Sequence, residues 1–278
     1  IFLDLLVRCP RVLGEDHLTT VTATNSYAVS LMGQGRYADA EPYLRSALER
    51  GRRAQGVDHV DTLATHYNLS VVLRETGSLK DAEAFGRDVL ARYEKALGSR
   101  HANLAVVRTS LGETLTKLGR AKEARAEFER AVAISKAALG EKNPGFTGSA
   151  RLLAASLIDA GRAEEALPML QEAVGILQQA RGAADRRTLN ARIDLARCLT
   201  ALGRFRESEP LLLESREKLP SVDPAGRKDQ RRAARLLAEL YDAWGRAEPD
   251  ADRTAKASDW RRIADAPDAP ASKPAGTP

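Results

Sequence analysis

Glycine recurs along this chain at a spacing of 42 residues, as Gly35, Gly77, Gly119, Gly161, Gly203 and Gly245, and five of the six precede an arginine, Ser78 being the exception. Glycine fills 20 of 278 positions. Such phasing is a coincidence of roughly one in ten thousand at ordinary glycine frequencies. A fixed period of this length marks a repeat array, in which each unit packs on its neighbours and no single closed core is required.

One period, residues 59–98, shows what the unit is. Leu63, Leu69, Val72 and Leu73 recur near helical spacing, Thr76-Gly77-Ser78 interrupts, and Ala82, Phe85, Val89, Leu90 and Leu97 resume the apolar stripe. The pattern predicts two amphipathic helices joined by a tight turn, with glycine supplying the left-handed residue that ends the first helix. A second column, Gly14, Gly56, Gly98, Gly140 and Gly182, ends the second helix in the same way.

Three residues beyond that column stand His17, His59, His101, Asn143 and Asp185. Histidines one repeat apart are separated by about 8–10 Å, the helix-packing distance, and cannot share an ion that needs ligands at about 2 Å. The Asn and Asp at equivalent positions identify the column as a helix N-cap, and Pro144 after Asn143 suits a first helical position.

Packing columns flank each turn. Seven residues before the turn glycine the side chain is always small: Ala28, Ser70, Gly112, Ala154, Ala196 and Ala238. Large residues surround it, with Leu31, Leu73, Leu115, Leu157, Leu199 and Tyr241 three positions later. Five after the glycine a second small column reads Ala40, Ala82, Ala124, Ala166 and Ser208, followed by Leu44, Gly86, Phe128, Leu170 and Leu212. This order resembles the tetratricopeptide repeat over residues 1–245, and its glycine-to-alanine spacing separates it from HEAT and armadillo repeats. The 42-residue unit and the loops Leu13-Gly14-Glu15-Asp16-His17 and Leu97-Gly98-Ser99-Arg100-His101 resemble the kinesin-light-chain-like subtype.

The resemblance implies an all-α right-handed superhelical solenoid of antiparallel helix pairs, with the first helix of each pair lining a groove for a protein or peptide. Groove columns fall at Asn25, Tyr67, Thr109, Arg151 and Ile193, at Val29, Val71, Glu113, Ala155 and Arg197, and at Gly33, Glu75, Lys117, Asp159 and Ala201. The candidate partner-binding residues are Asn25, Tyr67, Arg74, Glu113, Lys117, Arg151 and Arg197. Family members that clamp a chaperone's C-terminal carboxylate carry paired Lys and Asn in these columns; this chain does not. Of the adjacent asparagines of the light-chain type it keeps only Asn25 and Asn68.

Other function classes find little support. No Gly-rich phosphate loop, nucleophile elbow, His-Glu-x-x-His or Cys-x-x-Cys pair occurs, so no catalytic residue, metal or cofactor is expected. His66, beside Tyr67, reads as a packed or surface histidine. Net charge is +5, but acids and bases are intermixed, and the cluster Arg227–Arg235 reads as a solvated helix face without the aromatic interleaving of a nucleic-acid groove. No apolar run approaches a membrane span. Cys9 and Cys198 read as packing residues of a reducing, cytoplasmic setting.

Toward the C-terminus, Leu237–Arg246 with its Tyr241-Asp242-Ala243-Trp244-Gly245, followed by Trp260-Arg261, resembles the closing stretch of tetratricopeptide tails on bacterial serine/threonine protein kinases; Pro249 and Asp250 depart from that pattern. The expected layout is the end of a truncated repeat at 1–13, since Phe2, Leu5 and Leu6 fall on helix-interior columns, tandem repeats at 14–245, a capping helix at 246–263 and a disordered tail at 264–278. Three roles remain open: a kinase's regulatory region, a free-standing adaptor of the kinesin-light-chain kind, and the sensor region of a transcription regulator. Oligomeric state is not legible.

Overall fold

The computed structural model describes residues 2–220 and 224–266. Among these residues lie helices α1 (Phe2–Leu13), α2 (Leu18–Gly33), α3 (Tyr37–Ala54), α4 (Val60–Glu75), α5 (Leu79–Leu97), α6 (Ala102–Lys117), α7 (Ala121–Leu139), α8 (Thr147–Asp159), α9 (Ala163–Arg181), α10 (Arg186–Ala201), α11 (Phe205–Lys218), α12 (Pro224–Ala247) and α13 (Ala251–Asp265). No strand occurs among the described residues.

The chain divides into two compact units, Ile1–Leu153 and Ala154–Pro278. In the first, α2/α3, α4/α5 and α6/α7 form hairpins, α3/α4 and α5/α6 join them, and α2, α4 and α6 touch in succession. In the second, α10/α11 and α12/α13 form hairpins, α9 packs on α10, α11 on α12, and α10 touches α12. Each unit thus places the first helices of its hairpins side by side.

The turns follow from the glycines. Gly35 has φ +75°; its amide donates to the Met32 carbonyl at 2.9 Å and the Arg36 amide reaches Leu31 at 3.0 Å, which occupies carbonyls the helix end would otherwise leave free. The same pair of bonds recurs at Gly119, Gly161 and Gly203. The arginine after the glycine has its own role. Arg36, Arg120, Arg162 and Arg204 each aim Nε at the acid three residues on, with 2.7 Å to Asp39, 2.6 Å to Glu123, 2.6 Å to Glu165 and 2.8 Å to Glu207. That acid also lies in the first turn of a helix, where the dipole favours it.

The second glycine column is more restrictive still. Gly98 adopts φ +79°, ψ 162°, a region open in practice only to glycine. The caps then follow: Nδ1 of His17, His59 and His101 accepts from the amide two residues on at 3.2, 3.3 and 3.2 Å, and Asn143 and Asp185 do so with side-chain oxygens, both at 2.8 Å. The histidine column is therefore structural.

Leu31, Leu44, Leu69, Leu73 and Val72 with Ala28, Ala40 and Ala82 form one core cluster of the first unit, and Leu63, Val89, Tyr93, Leu104 and Val107 another. In the second unit Leu189, Ile193, Ala196, Leu212, Leu237, Leu240 and Tyr241 come together. Each buried leucine contributes about 1.5–3 kcal/mol.

The last repeat departs from the register. Gly245 does not make a turn: α12 runs through it to Ala247. The break falls instead at Glu248-Pro249-Asp250, because proline disfavours helix in the residue before it and Asp250 caps α13 by accepting from the Asp252 amide at 3.0 Å. Trp244 stacks on Phe205 with ring centroids 5.8 Å apart, and Trp260 packs on the same core cluster. Helix α13 continues to Asp265 with Ala264 buried, so order extends past the expected tail boundary; residues 267–278 of that tail lie outside the described residues.

The cluster Arg227–Arg235 is not merely solvated: Arg232 pairs with Asp194, and Arg231 donates to the Ala266 carbonyl at 2.8 Å. Cys9 and Cys198 are free and buried. The Cys198 thiol donates to the Ala163 carbonyl at 3.1 Å, and burial pushes its pKa up.

Candidate functional site

In the first unit, α2, α4 and α6 present the groove columns side by side. Asn68 on α4 donates to Asn25 Oδ1 on α2 at 3.3 Å, so both retained asparagines serve as a link between neighbouring first helices. Between α4 and α6 a charged network forms around Arg74, which is buried. Its Nη1 lies 2.7 Å from Glu113 Oε2 and 2.8 Å from Ser110 Oγ, while Nε lies 2.8 Å from Glu75 Oε1. Lys117 Nζ extends the network from Glu75 at 3.1 Å.

The network sets its own titration. Burial pushes the Glu113 carboxyl up, against the pull of Arg74. Partial burial also opposes ionisation of Glu75, but hydrogen bonds from Arg74 and Lys117 outweigh it and hold that carboxyl down. Burial raises the Tyr67 phenol, whose side-chain partner is Ser110. Two cations and two carboxylates are thereby matched within the protein.

Of the seven candidate residues, Tyr67, Arg74, Glu113 and Lys117 converge on this network, and Asn25 is bound one helix away. Arg151 is half-buried on α8. Arg197 lies in the second unit, paired with Asp159. Ile193, assigned to a groove column, is fully buried in the core. Ser110 was missed; its signal was a polar residue inside a buried helix face.

The second unit carries an open groove of about 550 Å³ between α8, α10 and α12. Ile158, Ala201, Leu236 and Ala243 supply apolar surface, and Arg197, Glu239, Asp242 and Arg246 line it with charge. Asp242 pairs with Arg261. Among the described residues no helix is long and apolar enough to cross a membrane and no group of three His, Cys, Asp or Glu is placed to hold a metal ion.

The tetratricopeptide repeat family matches residues 19–95, 104–145 and 147–221. The chain belongs to that family. No curated protein matches its sequence. Among solved structures, a kinesin-light-chain candidate from Podosopora anserina with nearly identical TPR-like repeats is 23% identical, with 73% of this chain and 96% of that one covered and a TM-score of 0.61. The apo form of RapI is 14% identical, with 94% and 89% covered and a TM-score of 0.68. A Pyrococcus horikoshii signal transduction ATPase with numerous domains, bearing a tetratricopeptide repeat sensor, is 14% identical, with 94% of this chain and 38% of that one covered and a TM-score of 0.65. At these identities the likeness is one of fold. A tetratricopeptide array is a protein–protein interaction scaffold, and that coarse role is the one its fold supports.

Proposed function

We propose that this chain binds a protein or peptide partner on the face formed by the first helices of its hairpins, as the regulatory region of a bacterial serine/threonine protein kinase acting in the cytoplasm. The observation that carries the binding role is the open, mixed apolar and charged groove on α10 and α12, a surface of the kind that accepts a partner's side chains. The kinase setting rests on the likeness of the Tyr241–Arg246 and Trp260-Arg261 stretch to kinase-attached tails. In this reading the chain binds without catalysing, and any phosphoryl transfer belongs to another domain.

Photo-crosslinking tests the face. A benzoylphenylalanine at Ala243 captures a discrete partner, whereas the same probe at exposed Leu213 on α11 does not; equal labelling at both positions defeats the reading. A Gly-rich loop and a His-Arg-Asp motif in the same gene would decide the kinase setting. The sensor domain of the Pyrococcus horikoshii protein favours the alternative of a regulator's sensor region, which a DNA-binding domain in that gene would support; an adaptor of the light-chain kind would have neither.

A further inference from the structure

The groove of the second unit differs from the face of the first in which charges are left free. On α4 and α6 the cations and carboxylates neutralise one another. On α12, Arg246 and Glu239 are exposed, and neither has an ion-pair partner among the described residues. Behind them Arg197 and Asp242, also lining the groove, are held by Asp159 and Arg261. The apolar floor of Ile158, Leu236 and Ala243 lies with them in one groove.

We infer that this groove selects an extended peptide segment carrying one basic and one acidic side chain four residues apart, with an aliphatic residue midway between them. The inference rests on the binding role proposed above and specifies its ligand. Seven residues separate Glu239 from Arg246, or about 10 Å along the helix. An extended chain turns its side chains i, i+2 and i+4 to one face, with i and i+4 about 13 Å apart, a difference that the long ends of the charged side chains take up. A base of the partner then faces Glu239, an acid faces Arg246, and the residue between them reaches the floor. Complementary charge fixes register and direction more than it adds affinity.

The probe is a positional-scanning library of end-capped heptapeptides with leucine fixed at the centre, tested on the full chain and on the E239R and R246E variants, each verified as folded by circular dichroism. Both substitutions lie on exposed positions. The expected result is enrichment of Lys or Arg on one side of the leucine and Asp or Glu on the other, each two residues from it, with binding falling about tenfold in each variant. The double variant E239R/R246E prefers peptides with the two charges exchanged. Peptides selected without regard to residues 239 and 246 overturn the inference and leave the scaffold role standing. No selection by folded protein also overturns it, and the crosslinking at Ala243 then judges the scaffold role separately.

Discussion

The ring of Phe128 on α7 occupies the space that a side chain on Gly112 of α6 would need: a Cβ built on Gly112 would lie 2.5 Å from Phe128 Cε1. In other repeats the same two columns hold Ala28 with Leu44, Ala154 with Leu170, and Ala196 with Leu212. In the α6–α7 hairpin the large residue is larger where the small one is smaller, so the pair fills a similar volume, whereas the α4–α5 hairpin is small at both positions, with Ser70 and Gly86. Substituting Gly112→Ala should therefore destabilise the fold by about 1–3 kcal/mol of overpacking, reduced by the roughly 1 kcal/mol that alanine gains over glycine in a helix. Adding Phe128→Leu should recover most of the loss by restoring the Ala/Leu pair. Urea unfolding of the single and double variants measures the coupling, and additive effects would refute the volume exchange.

His66 should make stability depend on pH. It is buried against Phe85, the rings meeting edge to face at 5.0 Å. Burial lowers its pKa from 6.5 to about 4, with Asp88 pulling the other way. The folded pKa lies below the unfolded one, so the unfolded chain takes up the proton first. Stability is then full above pH 6.5 and falls as pH drops toward 4, by roughly 2–3 kcal/mol. His66→Gln should flatten this part of the profile relative to the parent chain, as read by denaturation midpoints at pH 7 and pH 4.5; parallel profiles would exclude His66 as the source.

The cap column predicts an ordering of substitutions. His101→Ala removes the acceptor for the Asn103 amide and should lower stability by about 1 kcal/mol, whereas His101→Asp or His101→Asn should match or exceed histidine. Amide exchange at the start of α6 provides a local readout, because loss of the cap frees that amide and loosens the first turn.

Arg74 offers a test of whether the α4–α6 network serves structure or a partner. Arg74→Met leaves Glu113 half-buried with no cation at 2.7 Å and should lower stability by about 3 kcal/mol. The Glu113 carboxyl should then titrate still higher, visible by carboxyl NMR. The double variant Arg74→Met/Glu113→Met should recover much of the loss, since removing both charges removes the desolvation penalty. A folded, equally stable Arg74→Met chain with impaired partner capture would instead make the arginine a contact residue.

The repeat, its turns and its caps were legible in the sequence because they are local. A left-handed glycine, an acceptor side chain at a helix start and a small residue at a helix contact each meet a constraint set within a few residues, and the period then repeats it. Gly245 marks the limit. It kept the register but lay in a helix interior, because Pro249 and Asp250 placed the break farther on. A glycine permits a turn and does not compel one.

Groove chemistry needed the tertiary structure. The columns put Tyr67, Glu75, Glu113 and Lys117 on adjoining helices, yet nothing in their spacing revealed that Arg74, outside the columns, ties Glu75, Glu113 and Ser110 together, while Glu239 and Arg246 stay free. Periodicity assigns a side chain to a face. Whether a charge on that face is neutralised depends on which rotamer reaches which neighbour across a helix contact, some 36 residues away for Arg74 and Ser110. The sequence alone determined the repeating frame, through backbone geometry and side-chain size; only the packed helices decided which charges remain free to meet a partner.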